Sequence, residues 1–311
     1  MQSNKPLVLL TGGRGMVGRN ILEHPMARQY SFVAPTSDEL DLRDFSSVQS
    51  FLKQTSPELV IHAAGRVGGI QANMASPVDF LVENIDIGRN VILASRDAGI
   101  KKLLNLSSSC MYPRDASNPL TENLILKGEL EPTNEGYALA KIFAMRLCEY
   151  IHRQDNSLQY KTLIPCNLFG RFDKFDPKHS HLIPAIIHKV HLAKLNQDSV
   201  VEIWGDGAAR REFMYTGDLA DAILKGVADY EALPNLMNVG LGIDYSINEY
   251  YAAAAEVVGW KGKFIHDLSK PVGMKQKLVS TSLQEKWGWK STTSLQDGIQ
   301  KTYDFYLKSI Q

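Results

Sequence analysis

The chain has 311 residues, enough to bury a large core in one or two domains. Its 34 Lys and Arg balance 34 Asp and Glu, which excludes a net field for nucleic acid or an anionic membrane and leaves any anion to be bound locally. No apolar run reaches membrane-spanning length and no basic-then-apolar leader precedes the first strand, so a soluble cytoplasmic protein is expected.

The first element is the apolar run Leu7-Val8-Leu9-Leu10, which feeds Thr11-Gly12-Gly13-Arg14-Gly15-Met16-Val17-Gly18. A strand that runs into a glycine turn and opens a helix lets backbone approach a pyrophosphate, offers it amide donors and packs helix closely on strand. Further apolar runs follow at Ser31–Ala34, Leu59–Ala64, Lys102–Leu106 and Lys161–Ile164, alternating with helical patterns. This alternation predicts an α/β fold with a doubly wound parallel sheet. A ligand then lies along the carboxyl ends of its strands, where Gly12, Ala63, Ala64, Ser107 and Pro165 fall. After Pro165 the regularity drops, with an aromatic and polar stretch from Phe169 to Pro177 ahead of His179-Ser180-His181. That His-x-His has no third ligand at a recognisable spacing, so no metal site is expected. The second half reads as a smaller mixed α/β domain. It holds a strand at Val200–Trp204, a helix opened by the capping box Ser246-Ile247-Asn248-Glu249 and a last helix after Ser294-Leu295-Gln296-Asp297. Residues 1–165 are expected to bind the dinucleotide and 166–311 mainly the substrate, with segments of the second part free to return to the first.

Chemistry concentrates in two places. Tyr137 and Lys141 stand four apart in Asn134-Glu135-Gly136-Tyr137-Ala138-Leu139-Ala140-Lys141, on one face of a helix. An ammonium there can lower the phenol's pKa and let it trade a proton with a carbonyl oxygen, which a serine from Ser107-Ser108-Ser109-Cys110 can also hold. Tyr-x-x-x-Lys alone arises by chance in many chains; the strand and glycine turn upstream make it a carbonyl-reducing site. Cys110, Cys148 and Cys166 are an odd, sparse set without C-x-x-C spacing, which suits reduced thiols.

With these motifs in this order, the chain resembles the extended short-chain dehydrogenase/reductases that act on nucleotide sugars, and among them the GDP-L-fucose synthases. The matching stretches are Arg14-Gly15-Met16-Val17-Gly18, Arg66-Val67-Gly68-Gly69-Ile70, Ser108-Ser109-Cys110-Met111-Tyr112-Pro113, Glu131-Pro132-Thr133-Asn134-Glu135, Ser180-His181-Leu182-Ile183-Pro184 and Arg211-Glu212-Phe213. The resemblance implies a homodimer that uses NADPH to reduce the carbon-4 ketone of a GDP-4-keto-6-deoxy hexose after epimerising carbons 3 and 5. The ketone acidifies both neighbouring carbons, so one base and one acid can take a proton from one face and return one to the other. By resemblance Cys110 is that base and His181 the acid. Ser108 and Tyr137 hold the carbon-4 oxygen, Tyr137 donates its proton, and Lys141 tunes the phenol and holds the nicotinamide ribose. The same resemblance places Asp41, Asn167, Leu168 and His181 along the cofactor, and assigns Lys189, Trp204, Arg211 and Lys277 to the GDP-sugar. Plainer readings compete: Cys110 as a small buried hydrophobe, Trp204 as core, Lys189 as a solvated helix charge. Cys148 reads as core, and Cys166 as a strand-end residue without a nucleophilic role.

The chain also departs from that family. A Lys-Pro-Asp-Gly segment near the sugar pocket reads Lys270-Pro271-Val272-Gly273 here, and the arginine and aspartate around the following lysine are Gln276 and Ser280. The basic residues after the second strand are Pro35 and Ser37, which leaves Arg14 as the expected cation for a 2′-phosphate. These changes keep open a carbon-4 reductase of a related ketosugar such as a heptose. From another class, a dinucleotide sensor would keep the fold, but such sensors lose the Tyr/Lys pair that this chain keeps.

Overall fold

The computed structural model describes residues 5–176, 180–270 and 274–310, so the readings of Pro177, His179 and Pro271 to Gly273 lie outside the described residues. β1 (Leu7–Thr11) runs into the glycine turn and α1 (Met16–Glu23) leaves it. Gly12 takes φ +74°, and a Cβ there would stand 2.8 Å from the Ala64 nitrogen; at Gly18 a Cβ would come within 2.3 Å of the Gly12 oxygen. Only glycine allows strand and helix this approach.

The chain continues through β2 (Ser31–Val33), α2 (Phe45–Thr55), β3 (Leu59–His62), α3 (Ile70–Ala75), α4 (Pro77–Asp97), β4 (Lys102–Leu106), α5 (Glu135–Gln154) and β5 (Gln159–Pro165). Next come β6 (Asn167–Phe169), α6 (Leu182–Leu195), β7 (Val200–Trp204), β8 (Arg210–Arg211), β9 (Phe213–Tyr215), α7 (Thr216–Ala228) and β10 (Leu236–Val239). β11 (Tyr245–Ser246), α8 (Ile247–Val258), β12 (Lys263–Asp267), β13 (Gln276–Lys277), α9 (Ser282–Lys286) and α10 (Leu295–Ser309) complete it. The six-stranded sheet has the order β10-β5-β4-β3-β1-β2 and is parallel throughout. The order in which strands are added reverses beside β1, which sets the glycine turn at the crevice where such sheets bind ligands.

Both faces of the sheet are covered, which is why its strands read as unbroken apolar runs. Leu9, Val60 and Leu103 pack beneath α2, α4 and α5, while Leu10, Ile61 and Leu104 pack with Ile21 of α1 and Leu219 and Ile223 of α7. β10 and α7 come from the second half of the chain, and Asn238 of β10 pairs with Ile164 of β5. A separate core joins Ile183, Ile186 and Val190 of α6 to Val201 and Ile203 of β7, Tyr250 of α8 and Tyr303 of α10. The expected capping box is formed: Ser246 Oγ accepts the Glu249 N–H and the Glu249 carboxylate accepts the Ser246 N–H. Ser294 caps α10 through its Oγ, which accepts the Asp297 N–H. Among the described residues no helix is long and apolar enough to cross a membrane.

Candidate active site

A cavity of about 1600 Å³ opens along the carboxyl ends of β1, β3, β4 and β5. One end is walled by Gly12, Arg14, Gly15, Met16, Val17, Gly18, Asp41, Ala63 and Ala64. The middle is walled by Ser107, Ser108, Cys110, Tyr137, Lys141, Pro165, Asn167, Leu168 and His181, and the far end by Lys189, Trp204, Arg211 and Lys277. Every candidate residue read from the sequence therefore borders one space.

The catalytic candidates in the middle are set by short, local devices. Just beyond β4, Ser108 caps a single turn over Ser109–Met111, and its Oγ accepts the Cys110 N–H at 3.4 Å. That turn holds the serine hydroxyl and the thiol on the same wall. Lys141 is buried on α5, and its Nζ donates to the Leu106 carbonyl at 3.0 Å while standing 5.6 Å from the centre of the Tyr137 ring. Burial lowers the Lys141 ammonium to about 8. The expected depression of the Tyr137 phenol is not found: burial, and then the neighbouring Cys110, push it well above its ordinary value. The desolvation of a nearly enclosed phenol outweighs an ammonium that is spent on a carbonyl. A phenol so raised is fully protonated at neutral pH, the state from which it donates. Burial likewise pushes the Cys110 thiol up, against the pull of the Lys277 charge, the Ser108 hydroxyl and Lys141. Below this centre His62 accepts or donates at 2.9 Å with Thr11 Oγ1, and burial together with the Lys141 charge holds it down to about 3, so it is neutral.

His181 is the residue before α6, and its Nδ1 lies 3.4 Å from an Asp173 carboxylate oxygen. Cys148, on α5, is buried in the core, as read from the sequence. Cys166 is buried, and its thiol is pushed far up by burial and then by the Glu212 charge.

At the glycine end the first turn of α1 carries no acidic side chain, so its unpaired amides face the cavity without a competing charge. A Cβ on Gly15 would meet only the Gly12 oxygen, at 3.3 Å, and the cradle is of the shape a pyrophosphate fills. Asp41 is gripped by Arg43, whose backbone N–H and Nε both donate to Oδ1 at 2.9 Å and whose Nη2 donates to Oδ2 at 2.8 Å. These bonds hold the Asp41 carboxyl down to about 2.

At the far end Arg211 and Lys277 are register partners on β8 and β13. Trp204 is 52% exposed, so it is not core. Nor is Lys189 a solvated charge: its Nζ donates to the Glu202 carbonyl at 2.5 Å, tying α6 to β7. Gln276, one of the departures, donates its amide to Asp244 at 2.6 Å; Ser280, another, is buried with its Oγ 3.2 Å from that of Ser282.

Residues 8–240 match the model of the NAD dependent epimerase/dehydratase family. Over 300 residues the chain is 54% identical to the GDP-L-colitose synthase of Yersinia pseudotuberculosis, covering 96% of this chain and 97% of the relative. It is 48% identical over 300 residues to the GDP-L-fucose synthase of Azorhizobium caulinodans, covering 96% of each. The chain belongs to the NAD-dependent epimerase/dehydratase family, in its GDP-L-fucose synthase branch. Among solved structures, a GDP-mannoheptose C4 reductase from Campylobacter jejuni with NADP bound superposes with a TM-score of 0.88 at 33% identity, covering 97% of this chain and 98% of that one.

Within this family frame, sequence reasoning missed residues that the fold brings to the cavity. Arg43 is a second cation on the wall that Arg14 was expected to serve alone. It stands two residues after Asp41, further along the chain than the Pro35 and Ser37 positions where the family carries its basic residues. Glu131, quoted only as part of a family stretch, also borders the cavity, and its charge acts on both Arg211 and Lys277.

Proposed function

We propose that the chain is an NADPH-dependent 3,5-epimerase/4-reductase of a GDP-4-keto-6-deoxy hexose, with GDP-L-fucose as its product. The observation that carries this reading is that Cys110 and His181 border the same cavity as Ser108, Tyr137 and Lys141. A plain carbonyl reductase needs only the latter three. The extra thiol and imidazole are the base and acid that epimerisation beside a ketone requires.

In this reading the α1 amides with Gly12, Gly15, Met16, Val17 and Gly18 hold the cofactor pyrophosphate, Ala63 and Ala64 flank it, and Arg14 takes the 2′-phosphate. Asp41 borders the adenosine, while Ser107, Pro165, Asn167 and Leu168 surround the nicotinamide. NADPH, when bound, supplies the hydride for carbon 4. Ser108 donates a hydrogen bond to the carbon-4 oxygen and stabilises the enediolate formed when Cys110 removes a proton. His181 returns one from the opposite face. Tyr137 gives its proton to the carbon-4 oxygen during reduction, with Lys141 beside it. Arg211 and Lys277 face the diphosphate, Trp204 lies along the nucleotide, and Lys189 holds the strand that carries Trp204.

Residues 1–165 form the cofactor part and 166–311 mainly the sugar part, with α7 and β10 returned to the sheet. We also infer a cytoplasmic homodimer. Val78 and Val82 on α4, with Leu139, Phe143 and Tyr150 along α5, are exposed apolar side chains on two helices that pack side by side, which supports a copy of this chain as their cover.

A second reading keeps the chemistry and changes the sugar. It is favoured by the higher identity to a GDP-L-colitose synthase than to the fucose relative. NMR product analysis after reaction with NADPH in deuterated water, using hexose, 3-deoxyhexose and heptose ketosugars in parallel, tests both. Deuterium at carbons 3 and 5 of a reduced 6-deoxyhexose supports the main reading. Reduction without exchange in any of them overturns the epimerase half.

A further inference from the structure

His181 is exposed to the cavity on one side, and on the other it meets a carboxylate that the cavity does not reach. The Asp173 side chain is 4% exposed, its Oδ1 lies 3.4 Å from His181 Nδ1, and it also accepts the Lys174 N–H at 2.8 Å. Its second oxygen, Oδ2, is buried with no hydrogen-bond partner among the described residues. A buried carboxylate left half satisfied is costly unless a nearby group completes it when the site is loaded.

The loop carrying Asp173 is fastened from below. The Arg19 guanidinium sits 3.7 Å from the centre of the Phe172 ring, and that ring meets Phe305 edge-on at 4.9 Å. The Asn20 amide donates to the Arg171 carbonyl at 3.2 Å, and Arg171 pairs with Glu23 at 2.9 Å. Arg19, Asn20 and Glu23 all belong to α1, the helix that opens onto the pyrophosphate cradle. His181 is held independently, by the Ala185 N–H donating to its carbonyl at the start of α6.

We propose that Asp173 is the positioning residue of His181, forming a carboxylate–imidazole pair that fixes the ring so that Nε2 faces the sugar. This rests on the reading of His181 as the acid of epimerisation. In the proton-returning step the imidazolium Nε2–H bond breaks and a C–H bond forms from the electron pair of the enediolate. The imidazole left behind keeps its proton on Nδ1, donated to the Asp173 carboxylate. The long 3.4 Å contact is of the kind that tightens once substrate closes the site.

Two variants test the pair. Asp173→Ala removes the acceptor. Long-range proton–nitrogen NMR of His181 then moves the neutral ring from the Nδ1–H to the Nε2–H tautomer, a readout independent of turnover. Asp173→Asn keeps the shape and loses the charge. With ketosugar in deuterated water and no NADPH, it should still take up deuterium through Cys110 while the epimerised fraction falls at least roughly tenfold. An unchanged tautomer in Asp173→Ala, or epimerisation within about twofold of wild type in Asp173→Asn, overturns the pairing. If wild type itself shows no exchange, the epimerase reading fails, and the tautomer measurement still decides the pair.

Discussion

The glycine end of the cavity is made by one continuous stretch: β1, the turn and α1 bring Gly12, Gly15, Met16, Val17 and Gly18 to the wall within a dozen residues, through backbone alone. The far end is made by pieces remote in the chain, and side chains bind them. Glu212 is the clearest case. It lies between Arg211 and Phe213, which border the cavity, and points the other way at 1% exposure. Its Oε1 accepts the N–H groups of Leu241 at 2.6 Å and Gly242 at 3.0 Å, and its Oε2 that of Val279 at 2.9 Å. Its own N–H donates to the Lys277 carbonyl at 3.2 Å, and its carbonyl accepts the Asn167 amide at 2.9 Å. One end of the site thus depends on steric permission, the other on the bonds of one buried carboxyl.

The middle, shared by both ends, gives the largest expected effect. Tyr137→Phe removes only a hydroxyl, so cofactor should bind as before while ketone reduction drops by on the order of a hundredfold to ten-thousandfold. Stopped-flow oxidation of NADPH with a carbon-4 ketosugar measures it. A near wild-type rate would mean that the proton comes from elsewhere and that Tyr137 only fills space.

This contrast also governs how much was legible in sequence. The cofactor end could be read because its determinants are neighbours in the chain and each glycine answers a local collision. The Tyr137/Lys141 pair was legible for the same reason, but the direction of the Tyr137 shift was not, because helix spacing says nothing of burial. Glu212 could only be quoted as part of a family stretch. Its partners lie 29, 30 and 67 residues away, a separation no periodicity reports. The Lys189 tie was not legible for a similar cause: its partner is a backbone carbonyl on β7, and carbonyls leave no trace in a sequence.

The next effect sharpens the dependence of the far end on this buried carboxyl. Burial pushes the Glu212 carboxyl up to about 7 against the three N–H groups that pull it down. The folded chain then holds a proton that the unfolded chain releases near 4.5, so stability from this group is full below about pH 4.5 and lost as pH rises through about 7. At roughly 1.4 kcal/mol per unit, the change is about 3 kcal/mol. Glu212→Gln cannot titrate. The stability difference between wild type and variant, followed by urea denaturation from low to neutral pH, should therefore move in the variant's favour by that order. A difference that stays constant would mean that the N–H groups keep the carboxylate ionised throughout, and that charge is not what strains this end.

The smallest effect falls on the cofactor end and asks whether backbone is all that it uses. Arg14 and Arg43 both border it; among the described residues Arg43 is ion-paired with Asp41 while Arg14 acts on Glu39 only at a distance, and the Arg43 loop is fixed by the Asn90 amide donating to the Leu42 and Arg43 carbonyls at 3.0 and 2.8 Å. With Arg43 in place the Asp41 charge is neutralised, so it neither repels a 2′-phosphate nor competes for a ribose hydroxyl. Arg43→Ala frees that carboxylate, and NADPH should lose affinity relative to NADH by about twofold to fivefold, the scale of one exposed charge pair. Arg14→Ala should shift the same ratio by removing the phosphate's cation directly. The two routes separate in a double variant. Asp41→Asn added to Arg43→Ala should restore most of the preference, because the uncovered negative charge is then gone, whereas added to Arg14→Ala it should restore none. Fluorescence titration with both cofactors reads these ratios. If Asp41→Asn fails to rescue Arg43→Ala, Arg43 itself contacts the phosphate, and the cofactor end relies on side-chain charge as much as the far end does.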